Sequence, residues 1–68
     1  MFVEMNGTEV TRVRREQGLT KKALAGAAGV GEHTIKRAED GWLLLPATVH
    51  QIAGALGVDA HTLGKRVQ

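Results

Sequence analysis

The sequence predicts a small all-α domain, a compact bundle of about five short helices. Three observations point there. Apolar residues recur at three- and four-residue spacing in separate short segments. Most segments open on a capping residue or close on a glycine, and nowhere do apolar and polar residues alternate for long enough to suggest a strand. A chain of 68 residues holds one domain, spanning 1–68, and buries little apolar surface, so tight packing or association has to make up the deficit.

The first helix opens at Asn6, whose side chain suits a cap. Glu9, three residues on, is placed to reach back, and Met5 to staple onto Val10. Val10 and Val13 share its inner face with Arg14 beside them, and Gly18 ends it. Thr20 caps the second helix, in which Leu24, Ala25 and Ala28 share a face until Gly29. The third spans 31–40 with Ile35 and Ala38 facing inward, and Gly41 supplies a left-handed C-terminal cap. A fourth begins near Ala47; Val49, Ile52, Ala53 and Leu56 keep the i, i+3, i+4, i+7 spacing up to Gly57. Asp59 caps a short fifth helix carrying Leu63 and Val67. Residues 1–5, with Phe2 and Val3, read as a short extended arm.

Composition narrows the function. With no Cys there is no disulfide or thiolate metal site, and a reducing, cytoplasmic setting fits. The longest apolar run, 42–45, is far too short for a membrane span, and the N-terminal MFVEMNG lacks the basic region and long apolar core of a secretory signal. Nine Lys and Arg against seven Asp and Glu leave a formal charge of +2, which permits a polyanionic partner without demanding one. The cations Arg12, Arg14, Arg15, Lys21, Lys22, Lys36 and Arg37 gather between residues 12 and 37, whereas Glu4, Glu9, Asp40 and Asp59 lie near helix ends.

Catalysis and cofactors find no support. The chain has no Ser, and no carboxylate pair falls on a plausible cleft. His33, His50 and His61 are too far apart for metal-ligand spacing. The run GAAGVG lacks phosphate-loop spacing and joins two helices instead of following a strand. No enzyme, metal or cofactor is expected.

The strongest signal is LTKKALAGAAGVGEHTIKRAEDG, with a helix-turn-helix core over about 20–41. Two short helices meet at a turn of three or four residues containing Gly. Ala25 is small where they cross, Gly29 allows the sharp turn, and Val30 and Ile35 fix the second helix to the core. These residues extend to a longer pattern. It comprises Arg14, then Gly18-Leu19-Thr20, Leu24-Ala25, Ala28-Gly29-Val30, Thr34-Ile35, Glu39 with Gly41, Val49, Ile52-Ala53, Ala55-Leu56-Gly57-Val58 and Leu63. The chain thereby resembles the Cro/repressor-like helix-turn-helix family of phage and bacterial regulators over 10–63, without insertion or deletion.

The resemblance implies a compact, lambda-repressor-like bundle of about five helices and a double-stranded DNA partner, with action in a prokaryotic or phage setting. Gly31 stands where the family usually caps its recognition helix with Ser or Thr. Glu32, His33 and Arg37 match positions that face base edges, and Lys21 matches a phosphate-contacting position often held by Gln. Arg14 and Glu39 match a pair that forms a partly buried ion pair in some members.

Chemistry leaves alternatives at several of these positions. Arg37 reads a guanine or lies solvated on the helix face. Glu32 accepts from a cytosine amino group, or stabilises the helix N-terminus and pairs with Lys36 four residues on. His33 donates to a guanine edge or is simply exposed. Lys21, Lys22, Thr34 and Lys36 are candidates for phosphate contact. Arg12 and Arg15 are solvated or paired with Glu9 and Glu16.

The stretch GWLLLP departs from the family pattern. Where many members carry basic or polar residues beside the DNA backbone, this chain has Trp42, Leu43, Leu44 and Leu45. One or two are expected to turn inward over the seam between the third and fourth helices. The rest present a surface for another chain. That chain is a second copy, with Val67 and Phe2 assisting, or another protein for which the helix pair is a scaffold.

Overall fold

The computed structural model describes residues 1–67, and four α-helices form where capping and periodicity placed them. These are α1 (Gly7–Glu16), α2 (Lys21–Ala28), α3 (Glu32–Glu39) and α4 (Pro46–Leu56). Asn6 caps α1 by accepting from the Glu9 backbone N–H at 3.2 Å, and Thr20 caps α2 by accepting from Ala23 N–H at 3.0 Å. Glu9 does not reach back to Asn6. The Asn6 N–H is already taken by the Leu63 carbonyl at 2.7 Å, and Glu9 turns to Arg12 instead.

All four helices stop in the same way. Gly18, Gly29, Gly41 and Gly57 have φ near +70 to +80°, and the next residue, Leu19, Val30, Trp42 or Val58, donates its N–H back to the last turn. This is the six-to-one bond of a helix C-terminus, in which an apolar residue follows the left-handed glycine and folds over the end of the helix. Trp42 therefore follows Gly41 for a local reason: its N–H reaches the Arg37 carbonyl at 3.0 Å.

The described residues are not all-α, and they form four α-helices instead of about five. Asp59 does cap a turn, accepting from His61 N–H at 2.9 Å, but the turn is one stretch of 3-10 helix, Ala60–Thr62. After the fully buried Leu63 the backbone extends, and three strands form a small antiparallel sheet in the order β2-β1-β3. They are β1 (Phe2–Met5), β2 (Leu43–Leu44) and β3 (Gly64–Val67). Val3 faces Leu44 and Glu4 faces Leu43 on one side. On the other, Phe2, Val3, Glu4 and Met5 face Val67, Arg66, Lys65 and Gly64.

The extended residues at the N-terminus are thus the central strand of the sheet. Strands of two and four residues are too short for period-two alternation to register, which is why helical spacing alone was legible here. The spacing of Leu63 and Val67 fits a helix turn, but Gly64 answers a different demand. A Cβ there would lie 2.6 Å from the Glu4 carbonyl oxygen, so glycine lets β3 close on β1.

The core lies between the helices and the inner face of the sheet. Leu24, Ile35, Ile52, Leu63, Val10 and Val49 are fully buried, and Val3 and Met5 contribute the sheet's inner face. Burying each large aliphatic side chain contributes roughly 1.5–3 kcal/mol. Gln17 and Gln51 close carbonyls that helix ends leave free, donating to Leu56 O at 2.6 Å and Ala28 O at 3.4 Å. No helix among the described residues is long and apolar enough to cross a membrane.

Candidate nucleic-acid interface

Helices α2 and α3 are joined by residues 29–31. Ala25 and Ala28 are buried on α2, so small side chains let the helices approach where they cross. Ile35 and Ala38, both wholly buried, fix the orientation of α3 about its axis. The opposite face of that helix is therefore turned outward, and it carries Glu32, His33, Lys36 and Arg37, all exposed.

The base of this unit is an ion pair. Arg14 reaches from α1 and donates through Nη2 to Glu39 Oε1 at 3.2 Å and through Nε to Oε2 at 2.5 Å, a two-pronged contact. Its Nη1 donates to the Leu19 carbonyl at 2.8 Å. One guanidinium thereby ties together α1, the end of α3 and the turn into α2. The two side chains are only 9 % and 7 % exposed. Burial pushes the Glu39 carboxyl up, but the Arg14 bond, the Thr11 hydroxyl and the charges of Arg14 and Lys21 outweigh it and hold the group below the usual carboxylate range. Gly7 allows the close approach, since a Cβ there would collide with the Glu39 backbone carbonyl.

Three details of α3 are set by its neighbours. Gly31 supplies no capping side chain. The His33 ring folds back beside it, close enough that a Cβ on Gly31 would lie 2.5 Å from the imidazole. Lys36 pairs with Asp40 at 3.1 Å, not with Glu32, which stays at the helix N-terminus where the dipole favours a carboxylate. Arg37 lies over the indole of Trp42, its guanidinium carbon 4.9 Å from the ring centroid. The apolar residue that closes a helix C-terminus ordinarily packs on the last turn; in α3 that turn offers Arg37, so the contact becomes a cation–π stack. The pattern of glycine followed by an apolar residue after each helix was the signal for it.

The other candidates are distributed around this face. Lys21 is half-buried and Lys22 exposed in the first turn of α2, with Lys21 near enough to Glu39 for its charge to act there. Thr34 is half-buried on the flank of α3. On the far side of α1, Arg12 is bound to both Glu9 and Glu16 at 2.6 Å, the paired alternative for that residue. The GWLLLP residues do not act together. Trp42 covers Arg37, Leu43 is exposed on β2, Leu44 packs on the core, and Leu45 is exposed just before Pro46, the first residue of α4.

A family model described as a helix-turn-helix domain matches residues 7–64. No curated protein matches the sequence. Among solved structures, the restriction-modification controller protein C.AhdI from Aeromonas hydrophila superposes with a TM-score of 0.77 at 21 % identity, over 82 % of this chain and 86 % of that one. SinR, a master regulator for biofilm formation solved in complex with DNA, gives 0.72 at 26 % identity over 82 % and 92 %. SinR solved together with SinI gives 0.73 at 27 % identity over 85 % of this chain and 58 % of that one. A hydroxyethylphosphonate dioxygenase gives 0.79 at 18 % identity, but this chain spans only 14 % of it, so that likeness is one of fold alone.

Proposed function

The chain belongs to the helix-turn-helix domain family, and from that premise we propose that it is a sequence-specific regulator of transcription that binds double-stranded DNA. In this reading it is a cytoplasmic homodimeric repressor or autoregulator working on the DNA of the nucleoid, with no catalytic role. Helix α3 enters the major groove, and two copies reach successive grooves about 34 Å apart. Arg37 donates to a guanine edge, His33 to a neighbouring base, and Glu32 accepts from a cytosine amino group. Lys21, Lys22, Lys36 and Thr34 hold phosphates, and the Arg14–Glu39 pair keeps the helix at a fixed angle.

The observation that carries this reading is the outward face of α3. It presents His33, Lys36 and Arg37 on a helix whose opposite face is wholly buried. A reading helix needs that rigidity, because a base edge rewards only side chains already aimed at it.

Selection of duplexes from a random library, followed by sequencing, tests the reading. A palindromic motif is expected, and no enrichment by folded protein would defeat base reading. Log affinity should fall with log salt at a slope of roughly −6 for a dimer touching three or four phosphates per copy. Arg37→Ala should lower discrimination by about 1–3 kcal/mol at one base pair. Trp42 is the single Trp, so its fluorescence should change when Arg37 leaves the indole for a base edge.

A second reading is favoured by a separate observation. Phe2, Leu43 and Leu45 are exposed on a chain of net charge only +2, and SinR has been solved with a protein partner. In that reading the helix pair is a scaffold and the apolar surface around 42–45 binds a different protein. Failure to enrich any duplex, with retention of a heterologous partner by wild type and not by Leu45→Asp, would select it.

A further inference from the structure

The inner face of β3 carries a charge where a core would take an apolar side chain. Residues directly opposite each other in an antiparallel pair share a face of the sheet. Gly64 stands opposite Met5 and Arg66 opposite Val3, so both lie on the side that meets the core. Val67, the apolar residue of the strand, is turned to the other side with Phe2. Arg66 remains exposed, at the mouth of a cleft between β3, the 3-10 turn and the start of α4. The floor of that cleft is apolar, made by Val3, Val49 and Ala60, and Gly64 adds no side chain to fill it. His50 of α4 and His61 stand with Arg66 at its rim, all three exposed. The open volume is about 40 Å³, room for about three water-sized groups.

We propose that this cleft binds a short-chain carboxylate, its alkyl stem on the valine floor and its carboxylate held by Arg66 and His50. The site asks for both halves of such a ligand. A bare inorganic anion would gain nothing from Val3 and Val49, and a neutral hydrocarbon would leave the guanidinium unanswered. Among the described residues Arg66 has no carboxylate partner. Its planar fork of N–H donors suits the two oxygens of a carboxylate. Asp59, the acid beside both histidines, is already engaged. Its Oδ1 accepts from the His61 backbone N–H at 2.9 Å and bonds the His61 ring nitrogen Nδ1 at 2.8 Å. His61 is thereby held as a wall of the cleft, and the anchoring falls to Arg66 and His50. The volume limits the stem to about three carbons, the length found in butyrate. The cleft shares no residue with the outward face of α3, so the inference goes beyond the DNA-binding reading and does not depend on it.

The test is an NMR titration of the whole chain with sodium formate, acetate, propionate and butyrate, at neutral pH and constant ionic strength. The ring protons of His50 and His61 and the methyls of Val3 and Val49 report on rim and floor. Saturable shifts are expected at all four residues, and the dissociation constant should fall about two- to fourfold with each CH2 added up to butyrate. Inorganic phosphate and chloride, which carry charge without a stem, should bind more weakly than propionate. Arg66→Gln should weaken propionate binding roughly tenfold or more with circular dichroism unchanged. Lys36→Gln, which removes a cation from α3, should leave it as in wild type. Equal shifts from chloride and propionate, no gain with chain length, or tighter binding of phosphate than of propionate would overturn the assignment. So would shifts that survive Arg66→Gln, which would leave Arg66 as an inward charge that only guards an edge strand against pairing. No DNA enters the titration, so failure of this site and failure of base reading are told apart.

Discussion

Helix α1 carries two arginines two residues apart, each held by glutamate, and the two arrangements have opposite consequences. Arg12, on the outer face, bonds Glu9 and Glu16, which precede and follow it on the same helix. Its side chain is 52 % exposed, so water and salt can replace what the carboxylates supply. Arg14, on the inner face, bonds a carboxylate 25 residues away and a backbone carbonyl, and water cannot replace either partner. A local surface pair decorates a helix that would form anyway. A buried pair between distant elements fixes how those elements meet, at the cost of leaving a stranded charge whenever one partner is removed.

The largest way to break that contrast is Arg14→Ala. It strands the Glu39 carboxylate and frees the Leu19 carbonyl, and it should lower unfolding free energy by about 3–5 kcal/mol in urea titration. In a domain this small that is most of the stability, so the variant is expected to be partly unfolded at room temperature. Gly7→Ala attacks the same junction through the backbone. The new methyl meets the Glu39 carbonyl, and α1 must move off α3 at a net loss of about 1–3 kcal/mol, despite alanine's better helix propensity. A gain in melting temperature would show that the contact is loose.

Acid separates the two arginines by a different route. Glu39 is held below the usual carboxylate range in the folded chain, so its contribution is complete above the unfolded group's ordinary value, near 4.3, and is lost as pH falls through the lower folded value. Wild type should lose stability steeply between about pH 5 and 2. Glu39→Gln should be less stable at neutral pH, yet show a shallower slope across that window. Glu9 and Asp59, also held low, keep part of the slope. An unchanged slope in Glu39→Gln would mean that the buried pair does not govern acid unfolding. The smallest effect belongs to Arg12→Ala, for which no shift in denaturation midpoint beyond experimental scatter is expected at 0.15 M salt.

The helix pair was readable because its determinants are local. Caps at Asn6 and Thr20, left-handed glycines at helix ends and 3.6-residue spacing in α4 all act within a few residues, and the structure keeps each of them. The identity of the Arg14–Glu39 pair came from family resemblance, not from spacing, since nothing local links residues so far apart. Lys36 illustrates a local rule that misled. A favourable helix spacing to Glu32 was available, and the side chain bonds Asp40 instead. Of the candidate reading face, Glu32, His33 and Arg37 came from family resemblance, and the inward spacing of Ile35 and Ala38 agrees with their outward placement. The stacking of Arg37 on Trp42 and the turning of His33 over Gly31 depend on how the chain leaves and enters the helix in three dimensions.

The sequence by itself determined where helices start and stop, because hydrogen bonds across three to six residues and the steric freedom of glycine decide that locally. It also marked which residues of those helices face inward. Only the tertiary structure decided the state of both ends of the chain. Phe2–Met5, Leu43–Leu44 and Gly64–Val67 are individually too short to hold a conformation, and they become strands because β1, in the centre, exchanges backbone hydrogen bonds with the other two. The apolar run after Gly41 is divided in part by the same sheet: Leu44 goes to the core and Leu43 lies exposed opposite Glu4, whereas Trp42 reaches Arg37 through the local geometry of the helix end. The division between Leu43 and Leu44 depends on a partner strand some 40 residues earlier in the chain, and no local spacing encodes it.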